Sequence, residues 1–467
     1  MTGKPITQVL NSLSSAGQRS QRRFSRGLDR LITPDRLRNY PLILIIAGSL
    51  GLLAATIIRI TDPAAHGAYL PDYLAHWTGG RLLWDDSQNL YDPRTQSQVQ
   101  SEAIGTSVGL SWFVSPPIVA FLYAPLALIP YNVSGLVWLV LSSALLVWCI
   151  LCLATLAPKL MNHKRKLVIF AVLAAPPTFE LLGSGQDSAV VLLLWLIGIR
   201  LFQTSHPLWA GAVLGLGFAK PQLVLVIPLV LLATRNYKAL AAFSAVIAAV
   251  SGVSLGLVGL EGLGQWTGAL SSPLYMTEVQ QGQAWKMVGL PSFIQALLPP
   301  AWGAGIAPLL TAASLPIGAA VLLLSILRLR NTGMDGQSVW IATLATTVTF
   351  SPHLATYDAV LFIPVVIFLL ERRPTRFLRV ATVLAFALMW MVAPLHVAAL
   401  SQPWPLSILD APWSALPLAA IWLESVRALR PGRLGVVSQD ADSSNPSEGT
   451  TLTDVPPVKA DRQQAGE

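Results

Sequence analysis

Apolar runs recur along almost the whole chain, separated by short polar or basic stretches. Their lengths fit helices that cross a bilayer, since about 20 apolar residues span its hydrocarbon core. The pattern predicts spans at residues 41–60, 132–157, 167–182, 186–202, 207–219, 221–233, 239–260, 301–327, 337–350, 357–370, 380–399 and 406–426. Residues 116–130 are short and carry Pro116, Pro125 and Pro130. Proline breaks helices, so this piece reads as re-entrant or interfacial. The expected fold is therefore an all-α polytopic membrane protein of about twelve helices, with external loops that carry short helices.

Charge orients these spans. Arg19, Arg22, Arg23, Arg26, Arg30, Arg36 and Arg38 precede the first run. Lys159, Lys164, Arg165 and Lys166, then Arg235 and Lys238, Arg328 and Arg330, Arg372, Arg373, Arg376 and Arg379, and finally Arg427, Arg430 and Arg433 follow later runs. One alternation puts every one of these clusters on the cytoplasmic side, as the positive-inside rule demands. The domain reading follows. Residues 1–40 are a basic cytoplasmic arm, too long and polar before the first run to be a cleavable signal. Residues 41–430 are the membrane domain. Within it, 61–130 form a first external loop with the re-entrant piece, and 261–300 form a second. Residues 431–467 are polar and poor in aromatics, and read as a disordered cytoplasmic tail. Both termini are expected in the cytoplasm of a cell with an inner, plasma membrane.

Composition agrees with lipid as the solvent. The chain of 467 residues is 53% hydrophobic and 12% charged. Soluble domains are about a quarter charged. The net charge of +8 sits in the interhelical clusters, which argues against nucleic acid as a partner. Cys149 and Cys152 form a C-x-x-C inside an apolar run. Thiolate chemistry needs polar access, so the pair reads as packing.

Polar groups at membrane depth are expensive and point to function. Four clusters gather on the predicted external side. The first is PDYLAHWTGGR, with Asp72 and His76 one helical turn apart and Arg81 beyond. A carboxylate among aromatics suits sugar binding and proton removal from a hydroxyl; a solvated loop with an interfacial aromatic belt explains the same residues. The second is GSGQDS at 183–188, with Gln186 and Asp187. Turn chemistry explains it as well as substrate contact does. The third is AKPQ at 219–222, where Lys220 interrupts an apolar hairpin whose arms reach roughly 20 Å each. An ammonium in the outer half of a bilayer needs an anion, such as a lipid phosphate, unless it snorkels to the interface. The fourth is SPHLATYD at 351–358, with His353 and Asp358. Histidine there contacts a phosphate or hydroxyl, or caps the next helix. Four clusters on one face favour a shared cavity.

At these residues the chain resembles glycosyltransferase family 87. The matching pieces are DYLAHWTGGR and LYDP, then SPPIVAFLYAPLALIPY, GSGQDS, AGAVLGLGFAKPQ and SPHLATYD, in order over roughly residues 72–370. The resemblance implies a GT-C-like bundle whose characterised members include polyprenol-phosphate-mannose-dependent α-1,2-mannosyltransferases. It implies Asp72 as the catalytic aspartate. It places Lys220 and His353 towards the donor phosphate and Gln186 in substrate contact. Asp187 stands where many relatives have asparagine. The expected activity is transfer of a hexose, mannose by default, from a polyprenyl-phosphate donor to a lipid or glycan acceptor on the non-cytoplasmic face. Asp72 would be the general base and the transfer would invert configuration; His76, Arg81, Gln186, Lys220, His353 and Asp358 would bind substrate. A monophosphate carrier calls for no metal or cofactor. The alternative is a transporter or flippase of a lipid-linked sugar, which would place polar groups on both faces of its pathway.

Overall fold

The structure, a computed structural model, describes residues 33–275, 277 and 282–430. Most of the basic arm and the whole 431–467 tail lie outside the described residues. The described chain is mainly helical. Its only β-type pairing among those residues is one isolated bridge between Met287 and Ala355.

Four helices are long and apolar enough to cross a membrane: Arg38–Thr61, Tyr131–Leu156, Tyr237–Leu270 and Leu309–Leu329. Two bent pairs add one span each if counted whole. Pro158–Leu173 with Pro176–Ser184 turns by 51°, and Arg376–Trp390 with Val392–Ala399 turns by 50°. These criteria do not reach twelve. The reason is local. Pro176 falls inside one predicted span and breaks it. The segments Ser188–Gln203, Pro207–Ala219 and Pro221–Ala233 are apolar but short.

Helix ends follow the sequence closely. Thr33, Asp335 and Thr375 each accept an amide of the first turn, which satisfies a donor the helix leaves open. The Tyr237–Leu270 helix is interrupted at Gly259, whose φ of 67° belongs to the left-handed region. The interruption falls where the apolar run ends and the second predicted loop begins.

Packing among the described residues forms two large cores and a small cluster of Phe293, Ala411 and Ala415. The larger is built from residues 146–429 and centres on Gly336–Phe350, buried along its whole length from Gln337. The first helix is the opposite case. None of its 18-residue apolar window is buried by the rest of the protein, so its surface is left for lipid. The second core lies in the 61–130 segment and the start of Tyr131–Leu156. Tyr69, Tyr73, Trp77, Tyr91, Phe113 and Tyr123 are all buried there. Burying each large apolar side chain is worth about 1.5–3 kcal/mol. The aromatics of this stretch therefore build a packed layer, not an interfacial belt on a solvated loop.

Candidate functional site

The packed layer positions the first cluster. Leu70 adopts a left-handed conformation, and Pro71 then starts the Pro71–Asp85 helix. Asp72 sits in the first turn, partly exposed, where the helix dipole favours a carboxylate. One turn later His76 is buried. Its ring stacks on Tyr123 with centroids 4.7 Å apart and meets the edge of Phe113 at 6.2 Å. Neither ring nitrogen has a hydrogen-bond partner among the described residues. Burial pushes its pKa down; Asp187 opposes this, Lys220 reinforces it, and Asp72 opposes it.

The GSGQDS turn packs against the same helix. Gly185 ends Pro176–Ser184 with φ 77°. A Cβ there would stand 2.6 Å from the Cβ of Tyr73. The Gly185 carbonyl accepts from the Trp138 indole at 2.8 Å. Only glycine combines that backbone with that approach. The turn leaves Gln186 and Asp187 buried at the start of Ser188–Gln203.

Lys220 joins the remaining pieces. It lies between two single-turn 3₁₀ segments at the hairpin tip, Gly217–Ala219 and Pro221–Leu223. Its ammonium is 2.8 Å from Asp187 Oδ1 and 3.0 Å from Asp358 Oδ1. It also donates to Ser188 Oγ at 3.1 Å and Gln186 Oε1 at 3.3 Å. The Tyr357 ring lies below it, 5.2 Å away. Ser188 donates to the same Asp358 oxygen at 2.5 Å. The anion that Lys220 requires is thus supplied by two carboxylates of the protein itself. Two carboxylates against one ammonium leave the cluster net negative.

His353 stands on the loop before Asp358. Its Nδ1 is buried with no partner among the described residues. Its dense surroundings push its pKa down, with Asp358 opposing, Lys220 reinforcing and Asp72 opposing. The loop is pinned from outside. Val288 donates to the Leu354 carbonyl at 2.8 Å, and Thr356 donates to the Lys286 carbonyl at 2.8 Å.

The structure therefore brings Gln186, Lys220 and Asp358 into direct contact. His76 and His353 lie within electrostatic reach of that cluster and of Asp72. Arg81 stands apart, paired with Asp85 at 2.6 Å on a half-exposed helix surface. Asp187 and Ser188, absent from the residues singled out as substrate-binding, prove central. A carboxylate at the start of an apolar helix and a lone ammonium in another are complementary liabilities, and that was the available signal. No His, Cys, Asp and Glu group among the described residues could hold a metal ion.

The family profile of glycosyltransferase family 87 matches residues 113–352, a little over half of the chain. The chain belongs to glycosyltransferase family 87. Family 87 proteins are membrane glycosyltransferases, and the apolar helices here agree with that setting. The matched stretch contains Gln186, Asp187 and Lys220 and ends one residue before His353. Asp72, His76 and Arg81 precede it, and Asp358 follows it. No curated protein and no solved structure matches the chain.

Proposed function

We propose that this family 87 protein transfers a hexose, mannose by default, from a polyprenyl phosphate to a lipid or glycan acceptor on the non-cytoplasmic face of the plasma membrane. The observation that carries the reading is a partly exposed carboxylate, Asp72, one helical turn from the buried His76 and within electrostatic reach of the half-buried His353; both ring nitrogens of His76 and Nδ1 of His353 have no hydrogen-bond partner among the described residues. An imidazole buried in this way costs free energy unless a ligand completes it. Neutral histidines offer one donor and one acceptor each, which suits hydroxyls and phosphate oxygens.

In this mechanism the acceptor hydroxyl lies against Asp72. Its oxygen attacks the anomeric carbon as Asp72 takes the proton. The bond from the anomeric carbon to the phosphate oxygen breaks, and polyprenyl phosphate leaves with the bonding pair. Direct displacement inverts the anomeric configuration. The growing charge on phosphate is met by an N–H of His353; Lys220, whose charge Asp187 and Asp358 already balance, holds Gln186 towards the donor through the longest of its four contacts. Asp187 and Asp358 hold Lys220 in place. His76, Gln186 and Asp358 frame the sugar, and Arg81 lies at the outer edge. The positive-inside pattern, with both termini in the cytoplasm, supports an external position for this site.

Purified protein in lipid nanodiscs, given radiolabelled polyprenyl-phosphate mannose, glucose or arabinofuranose with membrane lipid extract, tests the reading. A covalent glycosylated product from one donor supports it. Protected movement of donor without any product would instead make the protein a transporter.

A further inference from the structure

The phosphate of the proposed donor lacks a cation in the site described above. Lys220 is balanced by Asp187 and Asp358, and Arg81 is taken by Asp85. A phosphodiester carries one negative charge, and the released monoester approaches two at neutral pH. His353 offers it an N–H but no full charge. Contacts between phosphate and a charged donor are the strong ones, so the chemistry calls for an ammonium or guanidinium beside His353.

Lys286 stands there. Its carbonyl accepts from Thr356 Oγ1 at 2.8 Å, and the next two residues pair with Ala355 and Leu354. These pairings fix Lys286 beside the loop that carries His353. Its ammonium lies 3.3 Å from Glu180 Oε1, on the Pro176–Ser184 helix that ends in the Gly185 turn. Glu180 lies within electrostatic reach of Tyr357, the ring beneath Lys220. Lys286 and Glu180 therefore flank the Lys220 cluster without belonging to it. The position is also supported from behind. The Lys286 ammonium sits over the Trp285 ring, 5.3 Å from its centroid. The same indole stacks on His396 with centroids 4.5 Å apart. His396 Nδ1 is in turn 2.9 and 3.0 Å from the two carboxylate oxygens of Asp410.

The pair with Glu180 is an exchangeable one. The Lys286 and Glu180 side chains are 27% and 35% exposed. Their separation is long for an ammonium and a carboxylate, which usually meet at about 2.7–2.9 Å. Partly exposed pairs of this kind contribute little to stability. Lys220, by contrast, is buried among Asp187, Asp358, Ser188 and Gln186. Lys286 can exchange its carboxylate for another anion at small cost, and Lys220 cannot.

We infer that Lys286 binds the phosphate of the lipid-linked sugar, and that Glu180 holds the ammonium in place until the phosphate displaces it. The assignment rests on the transferase reading and adds to it the phosphate-binding cation and an internal competitor for that cation.

The two partners of this ion pair then have opposite effects on binding, which a purely structural pair would not show. Radiolabelled polyprenyl phosphate is titrated onto full-length protein in phosphatidylcholine nanodiscs. Lys286→Met should raise its Kd at least about tenfold. Lys286→Arg, which keeps the charge, should retain most of the affinity. Glu180→Gln removes the competitor and should lower the Kd about threefold. Melting temperatures should match wild type throughout, because the pair is partly exposed. Polyprenol, which lacks the phosphate, should bind all the proteins alike. An unchanged Kd in Lys286→Met, or weaker binding in both Lys286→Met and Glu180→Gln, overturns the assignment. So does displacement by phosphatidylglycerol as effective as by unlabelled polyprenyl phosphate, since the site would then take any anionic lipid headgroup. In the transfer assay Lys286→Met should raise KM for the donor. Transfer with an unchanged KM removes the phosphate site and leaves the transferase reading standing. The expected Kd pattern with no sugar transferred from any donor removes the transferase reading and leaves the phosphate site standing.

Discussion

The Lys220 ammonium stands 3.0 Å from Asp358 Oδ1, across 138 residues of chain. That contact ties the tip of a short apolar hairpin to a 3₁₀ segment on the other side of the core, with Asp187 closing the cluster at 2.8 Å. Removing one partner of a buried pair leaves an uncompensated charge, which costs about 3–5 kcal/mol. Lys220→Met should therefore lower the thermal stability of the detergent-solubilised protein sharply. The double variant Lys220→Met with Asp358→Asn should recover part of the loss, because one orphaned carboxylate is then neutral. Equal melting temperatures for wild type and Lys220→Met would show that the charges are not buried as a unit.

Gly185 is the second structural pivot. Gly185→Ala puts a methyl carbon against Tyr73 and keeps a left-handed φ. Strain of this kind costs about 1–3 kcal/mol. The variant should melt earlier and lose catalytic efficiency together, since the turn carries Gln186 and Asp187. A melting curve unchanged from wild type would contradict the close approach.

How legible was this in the amino-acid sequence? Membrane character was plain from the apolar runs. The need of Lys220 for an anion was plain as well, because a lone ammonium in an apolar hairpin has few alternatives. The identity of the anion was not. Asp187 and Asp358 read as a helix start and a loop residue, and only the fold shows them converging on one nitrogen. The first predicted loop was the harder case. Tyr73, Phe113 and Tyr123 suit an interfacial belt as well as a core by composition, and their packing depends on contacts between distant stretches, such as Tyr73 with Tyr123 and His76 with Phe113. Span counting failed to settle for a related reason. Segments such as 207–219 are apolar enough but too short, and hydropathy carries no information about the bend at Pro176.

Acid should destabilise the protein through His76 and His353. Burial lowers the pKa of His76 and of His353. The unfolded chain, with ordinary histidines near 6.5, then binds more protons than the folded one as pH falls. Stability is fully present above that range and is lost on acidification through it. Asp72, Asp187 and Asp358 moderate the effect and Lys220 strengthens it. The melting temperature should fall between about pH 7.5 and pH 5.5. In the double variant His76→Gln with His353→Gln that slope should flatten. The same slope in both proteins would assign the acid sensitivity elsewhere.

Asp72 carries the central claim. It forms no ion pair among the described residues and is partly exposed, so replacing it should leave the fold intact. A general base contributes about 10²–10⁴-fold to rate. The most direct measurement is single-turnover transfer from radiolabelled polyprenyl-phosphate mannose, or whichever donor the panel selects, by purified wild type and Asp72→Asn with matched melting temperatures and donor affinity. The expected result is inverted product from wild type and a rate at least about 100-fold lower in Asp72→Asn. Product formed by Asp72→Asn at the wild-type rate would contradict the account.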